Sequence, residues 1–316
     1  MKLNKGALGA DALLLTAAVI WGFAFSAQRS GMEYIGPSAY NGVRYALGAL
    51  VLLPFVLARR RAAARASLAG GASAASADRG PAMLRGWRKA GGIALAGTIL
   101  FSGSILQQLG LVWTTAGNAG FITSLYVVLV PLVGLAFGKR SSLHIWAGAI
   151  VAVAGLYILS VGASLSMSKG DLLVLAGSLF WAFHILVVSR LVARLDPIEL
   201  SAGQFAVCSA YSLASALIFE PSPFAGVLPA AIPILYGGVM SCGVAFTLQV
   251  LAQRTAHPAH ASIILSMEAL FAGIGGVLIL GERLSARLVV GGLLMLAGAI
   301  VSQLEPKAAR EKAPSP

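Results

Sequence analysis

The chain has 316 residues, of which 58% are hydrophobic and only 11% are charged, and its mean hydropathy is +0.85. A soluble protein carries about 25% charged residues, so this composition excludes a water-soluble globular domain and implies an integral membrane protein. The formal net charge of +12 would suit a nucleic-acid binder, but the basic residues are placed as in a membrane protein, and no nucleic-acid partner is expected.

Apolar runs of Leu, Ala, Val and Gly, each near the ~20 residues a helix needs to cross a bilayer, follow one another along the chain. They predict ten transmembrane helices, at 11–30, 38–58, 90–112, 117–138, 143–162, 171–191, 198–219, 230–253, 259–280 and 286–303. A β-barrel would need short alternating segments, and none are present. The first span follows Lys2 and Lys5 and ends near Phe25-Ser26-Ala27, the outline of a signal peptide. Asp11, the bulky Trp21 and Phe23, and a mirrored segment at 171–191 instead predict a retained helix. The basic stretch 59–89, rich in Ala, Arg, Ser and Gly, is expected to be a mobile cytoplasmic loop within reach of anionic lipid headgroups. Residues 306–316 are expected to be a disordered cytoplasmic tail. Cys208 and Cys242 fall inside spans, and no spacing suggests a metal or cofactor site.

The chain also repeats itself. Asp11, Leu13, Trp21, Phe23 and Pro37 recur as Asp171, Leu173, Trp181, Phe183 and Pro197, each pair 160 positions apart. Gly138, Ser142, Gly148 and Gly155 recur 143 positions later as Gly281, Ser285, Gly291 and Gly298, the difference being absorbed by the basic loop. This predicts two five-helix repeats, 1–162 and 163–305. Duplication of an odd-span unit in a bilayer makes the copies inverted, the construction of many secondary transporters.

With the N-terminus inside, 18 of the 23 Lys and Arg residues lie on the cytoplasmic side, four lie outside, and Arg44 lies within a span. That asymmetry predicts a cell inner-membrane protein with both termini cytoplasmic.

Trp21-Gly22-Phe23 in the first span, Arg44-Tyr45 in the second, Pro131 in the fourth and Gly281-Glu282-Arg283 after the ninth, followed by a glycine-rich tenth span, resemble the EamA-like family of the drug/metabolite transporter superfamily. The resemblance covers nearly the whole chain. It implies a ten-helix bundle with a central cavity and export of amino acids, metabolites or drugs. One departure is Glu268-Ala269, where many members have Glu-Pro, which puts a proline-dependent kink in the ninth span in question.

A charged side chain at mid-membrane is costly and demands a reason. Glu268 lies centrally in the ninth span on a face with Ala261, Ala272 and Gly275, and Arg44 shares a face with Asn41 and Gly48. Glu268 either changes protonation or pairs a cationic substrate group, or it belongs to a structural polar patch. Arg44 either holds a substrate carboxylate, neutralises Glu268, or fixes helix register. His184 is a proton relay or a neutral core histidine. Trp21 and Trp181 line a cavity or pack helices. Gln107, Gln249, Asn118 and Tyr126 offer neutral hydrogen bonds to a polar substrate or bridge helices. Gly148, Gly155, Gly291 and Gly298 are read as close-packing positions, and Pro131 as the site of a bend or hinge.

Two rival classes are an intramembrane enzyme and a non-transporting scaffold. The chain lacks HExxH, G-x-S-x-G, paired aspartates and a P-loop, so it offers little catalytic chemistry and is read as a carrier rather than an enzyme. The reading that results is a secondary transporter working by alternating access, with proton antiport through Glu268 as the leading form and facilitated diffusion or substrate exchange left open. Substrate identity and oligomeric state are left open.

Overall fold

The computed structural model describes residues 5–68, 82–138, 141–160, 168–280 and 286–302. The order is α1 (Lys5–Gly31), α2 (Pro37–Leu68), α3 (Ala82–Gly110), α4 (Ala116–Ser124), α5 (Tyr126–Ala136), α6 (Leu143–Ser160), α7 (Lys169–Leu191) and α8 (Pro197–Phe219). There follow α9 (Ala231–Leu235), a π-helical stretch (Tyr236–Phe246), α10 (Thr247–Ala252), α11 (Pro258–Leu265), α12 (Glu268–Leu280) and α13 (Ala286–Ser302). No strand occurs among the described residues. Among the described residues, eight helical segments are long and apolar enough to cross a membrane; three of them combine shorter helices, α4 with α5, α9 through α10, and α11 with α12. The apolar stretches of α6 and α13 (Leu143–Ile158 and Val289–Ser302) are shorter.

The bundle is apolar outside and buries a set of polar side chains within an otherwise apolar interior. Leu50, Phe55, Ile150, Leu217 and Phe219 are exposed, whereas Gln28, Asn41, Gln107, Gln204 and Gln249 are buried. In lipid, apolar surface gains nothing by leaving the solvent, so such a bundle is held by close packing and interhelical hydrogen bonds. Its main seams join α2 to α8, α6 to α13, α3 to α7 and α8, and α1 to α12. Glycine makes the α6–α13 seam possible. A Cβ on Gly148 would sit 2.6 Å from the Gly298 carbonyl oxygen, one on Gly298 would sit 2.6 Å from that of Gly148, and one on Gly155 would sit 2.6 Å from that of Gly291. Gly22 does the same for α1, where a Cβ would lie 2.8 Å from the Glu268 carbonyl oxygen.

Helix starts follow local capping chemistry. Asp196 accepts from the Ile198 and Glu199 amides, with Pro197 at the first helical position of α8. Ser168 and Asp171 form a reciprocal capping box on α7. The amides of Ser38 and Ala39, at the start of α2, donate to the Glu220 carboxylate just past α8, at 2.7 and 3.1 Å.

The expected loop at 59–89 is corrected in part. Residues 59–68 continue α2 and 82–89 open α3, while 69–81 lie outside the described residues. Alanine and arginine are strong helix formers, and the acids opening α8 fix both helix ends: Arg59 pairs with Asp196, Arg60 with Glu199 at 2.6 Å, and Lys89 also with Glu199. The Gly281-Glu282-Arg283 motif and the tail 306–316 lie outside the described residues.

Candidate functional site

At mid-bundle, two interrupted helices meet. The helix carrying Pro131 breaks at Leu125, where α4 ends and α5 begins, six residues before the proline. Pro131 itself is buried inside α5. A second break lies at Ser266–Met267, between α11 and α12. It forms without proline: Ser266 Oγ donates to the Ile263 carbonyl at 2.7 Å, a local bond that competes with the helical ladder. Ser124 Oγ donates to the Ser266 carbonyl at 3.2 Å, which also accepts from the Ala269 amide. Two residues further along each helix, Tyr126 Oη donates to Glu268 Oε1 at 3.1 Å.

Beside this junction lies a cavity with about 50 Å³ open to the centres of water-sized molecules, room for a few waters or a small polar group. Glu268 and Tyr126 line one part of it, and Arg44 and Tyr45 line another. Arg44 Nε donates to Asn41 Oδ1 at 2.9 Å, and the guanidinium stacks on the rings of Tyr45 and Tyr40, 4.7 and 5.5 Å from their centroids. Tyr45 Oη in turn shares a 2.6 Å hydrogen bond with Ser104 Oγ. Arg44 and Glu268 are both buried, yet neither forms an ion pair among the described residues. The cavity therefore holds one acid and one base that do not neutralise each other directly.

An aromatic wall runs through it. The Phe246 ring, at the end of the π-helical stretch, lies 4.6 Å from Trp21, 6.0 Å from Trp181, 5.9 Å from His184 and 6.3 Å from Tyr45, centroid to centroid. Within this π-helical stretch, an irregularity of a kind frequent at functional sites, the Ser241 carbonyl accepts from Trp21 Nε1 at 3.3 Å. Trp181 Nε1 donates to Gln107 Oε1 at 2.8 Å, and Gln107 Nε2 donates to Gln28 Oε1 at 3.4 Å. His184 Nε2 lies 2.8 Å from Gln204 Oε1. His184 Nδ1 and Gln249 Oε1 are buried without a hydrogen-bond partner.

Of the polar and aromatic residues singled out from the sequence, Asn118 alone is not on the cavity wall. It sits in the first turn of α4, where its backbone N–H donates to the capping hydroxyl of Thr115. The glycines lie on the α6–α13 seam, away from the cavity. Phe246, Gln28, Ser241 and Thr123 also line the cavity and were not singled out. Gln28 carried a legible signal, an amide inside an apolar run. Phe246 carried none, because a phenylalanine in a span is the ordinary lipid-facing or packing residue.

The sequence profile of the EamA-like transporter family matches residues 8–161 and again 168–303. The chain belongs to the EamA-like transporter family. An uncharacterized transporter of Archaeoglobus fulgidus is 30% identical over 302 residues, spanning 94% of this chain and 86% of that one. The uncharacterized inner membrane transporter YedA of Escherichia coli K12 is 26% identical over 229 residues, spanning 71% of this chain and 65% of YedA. One solved crystal structure superposes with a TM-score of 0.72 at 20% identity, covering 96% of this chain and 99% of the other, a likeness of fold. This EamA-like chain is thus a multi-pass membrane protein of a transporter family.

Proposed function

We propose that this protein is a ten-helix exporter of the cell inner membrane, built from two inverted five-helix repeats with both termini cytoplasmic. It moves amino acids or related small metabolites or drugs by alternating access, with Glu268 as the proton-coupling group. One observation carries the proposal: a buried acid and a buried base, not paired with each other, face one cavity at mid-bundle. Uncompensated charge in the membrane interior is expensive, and its usual use is on a substrate or ion pathway.

The repeat reading draws support from where equivalent positions lie. Tyr126 and Glu268, 142 positions apart, bond to one another, as do Ser124 and Ser266 at the same separation. Gln107 and Gln249, also 142 apart, and Trp21 and Trp181, 160 apart, all line the same cavity. Gly148 meets Gly298, and their repeat counterparts Gly291 and Gly155 meet each other. Such a pseudo-twofold centre is where inverted-repeat carriers hold substrate while the halves rock. The name of the Escherichia coli relative supports the inner membrane as the location.

The test is flux across everted membranes or whole cells loaded with mixed amino acids, metabolites and dyes, comparing wild type with Glu268→Gln. Export by wild type that depends on pH, and loses that dependence in the variant without loss of membrane insertion, supports the proposal. Undiminished, still pH-dependent export by the variant would sink the role of Glu268. No wild-type export of any compound would count against the carrier reading.

A further inference from the structure

The end of α2 sorts its cations by helix face. Val56, Arg59, Arg60 and Ala63 recur at helical spacing and line a cleft with Asp196 and Glu199. Arg59 and Arg60 are neutralised there by those acids, and Lys89 of α3 also pairs with Glu199. Arg61 and Arg65 lie on the opposite side, because two positions turn a helix by about 200°. Both are exposed, and neither has an ion-pair partner among the described residues.

The rest of that outward face is apolar. Leu50, Pro54, Leu57, Arg61 and Arg65 follow one another at helical spacing, so the five form one stripe along α2. Leu50 and Leu57 are 62% and 43% exposed, and Pro54 is exposed as well. Arg61 and Arg65 lie about 36 and 42 Å along the axis from the start of α2, just beyond a hydrocarbon core of about 30 Å. The stripe thus runs from lipid tails to the headgroup level and ends in two unpaired guanidinium groups. Trp87, at the start of α3, is 72% exposed, and Arg88 beside it is exposed too, a pairing typical of the membrane interface. Arg60 and Lys89 meet on one carboxylate, so their neighbours Arg61 and Arg88 stand at the same end of the bundle.

We infer that this face of α2 holds an anionic phospholipid, its acyl chains along Leu50, Pro54 and Leu57 and its phosphate against Arg61 and Arg65. The guanidinium fork matches phosphate oxygens in pairs. A zwitterionic headgroup brings an ammonium that the same two arginines repel, and a free anion leaves the apolar part of the stripe unused. The surface is separate from the mid-bundle cavity, and the inference stands or falls independently of the carrier reading.

The experiment uses the purified full-length chain in detergent, titrated with phosphatidylglycerol, phosphatidylcholine or inorganic phosphate and read by native mass spectrometry and by unfolding temperature. The expected result is a phosphatidylglycerol-bound species, with phosphatidylcholine weaker by roughly tenfold or more, at about fivefold per arginine. Inorganic phosphate at the same concentration does not displace the lipid. The double variant Arg61→Gln/Arg65→Gln loses the preference. Arg59→Gln/Arg60→Gln, an equal loss of charge on the cleft side, keeps it. A photoreactive phosphatidylglycerol crosslinks within residues 50–65. Equal binding of phosphatidylcholine overturns the inference, as does displacement by inorganic phosphate, which would make the site one for a free anion. Equal losses in the two double variants overturn it by showing a diffuse charge effect. Crosslinks that map elsewhere, or that join two copies of the chain at this face, overturn it as well. The wild-type lipid series and the crosslink need no variant to fold.

Discussion

Tyr126 and Glu268 stand 142 positions apart in sequence and 3.1 Å apart in space, each at the second half of an interrupted helix. The phenol meets the acid where α4 passes to α5 and α11 passes to α12. The bond therefore joins the two irregular points of the bundle, and the serines just before them, Ser124 and Ser266, join them a second time.

Removing that phenol leaves the carboxyl without its donor in an apolar setting. Tyr126→Phe is expected to cost about 1–3 kcal/mol of stability. In a cycle with Glu268→Ala, read by thermal unfolding in detergent, the double variant should lose less than the sum of the singles. Additive losses would mean the two side chains do not act as a pair.

The glycine seam between α6 and α13 leaves no room for a side chain. Gly148→Val is expected to destabilise by about 1–3 kcal/mol through overpacking against the Gly298 backbone. Gly9→Ala, at a helical position where a Cβ meets nothing within 4 Å, should be neutral or stabilising by up to about 1 kcal/mol. Melting temperatures of the two proteins decide it; equal effects would mean the seam is not close-packed.

Phe246 is the hub of the aromatic wall. Phe246→Ala should cost about 3–5 kcal/mol, enlarge the cavity and shift tryptophan emission to the red as Trp21 and Trp181 lose a ring neighbour. Unchanged emission would place those tryptophans in contact with something else.

The ion pairs joining α2 and α3 to the start of α8 are solvent-accessible, Arg60 more so than Glu199. Arg60→Gln is expected to change stability by less than about 1 kcal/mol, an effect that shrinks as salt is raised. A large, salt-insensitive loss would show that this end of α2 is held differently.

Solvent access to the cavity is checked by Gln107→Cys and Gln249→Cys. Cys208 and Cys242 are both free and buried, so the background from native thiols should be low. Hydrophilic thiol reagents are expected to label both new cysteines, and labelling slower than at a lipid-facing control such as Leu217→Cys would argue for a sealed core.

Much of this architecture is legible in the chain, but unevenly. Arg44 and Glu268 stand out because charge inside an apolar run is rare for an energetic reason. Trp21 and Trp181, or Gln107 and Gln249, stand out because repetition marks them. Asn118 passed the same polarity filter and is not on the cavity wall; it lies in the first turn of α4, where its backbone N–H joins the Thr115 cap. The stretch 59–89 looked like a loop from its composition. Its ends are helical because alanine and arginine favour helix, and those ends lie where Asp196 and Glu199, distant in sequence, pair with their basic residues.

By itself the sequence determined that this is a helical, internally repeated membrane protein, because hydropathy and repetition accumulate along the chain and need no knowledge of which helices touch; its motifs carried the resemblance to the EamA-like family. Only the tertiary structure decided that Glu268 bonds Tyr126 and not Arg44, that Phe246 gathers the cavity aromatics, and that the helices break at Leu125 and Ser266–Met267. Those outcomes depend on how each helix is rotated and how closely its neighbours approach. Rotation and approach are set by packing at positions such as Gly22 and Gly148, whose effect exists only once another backbone lies against them.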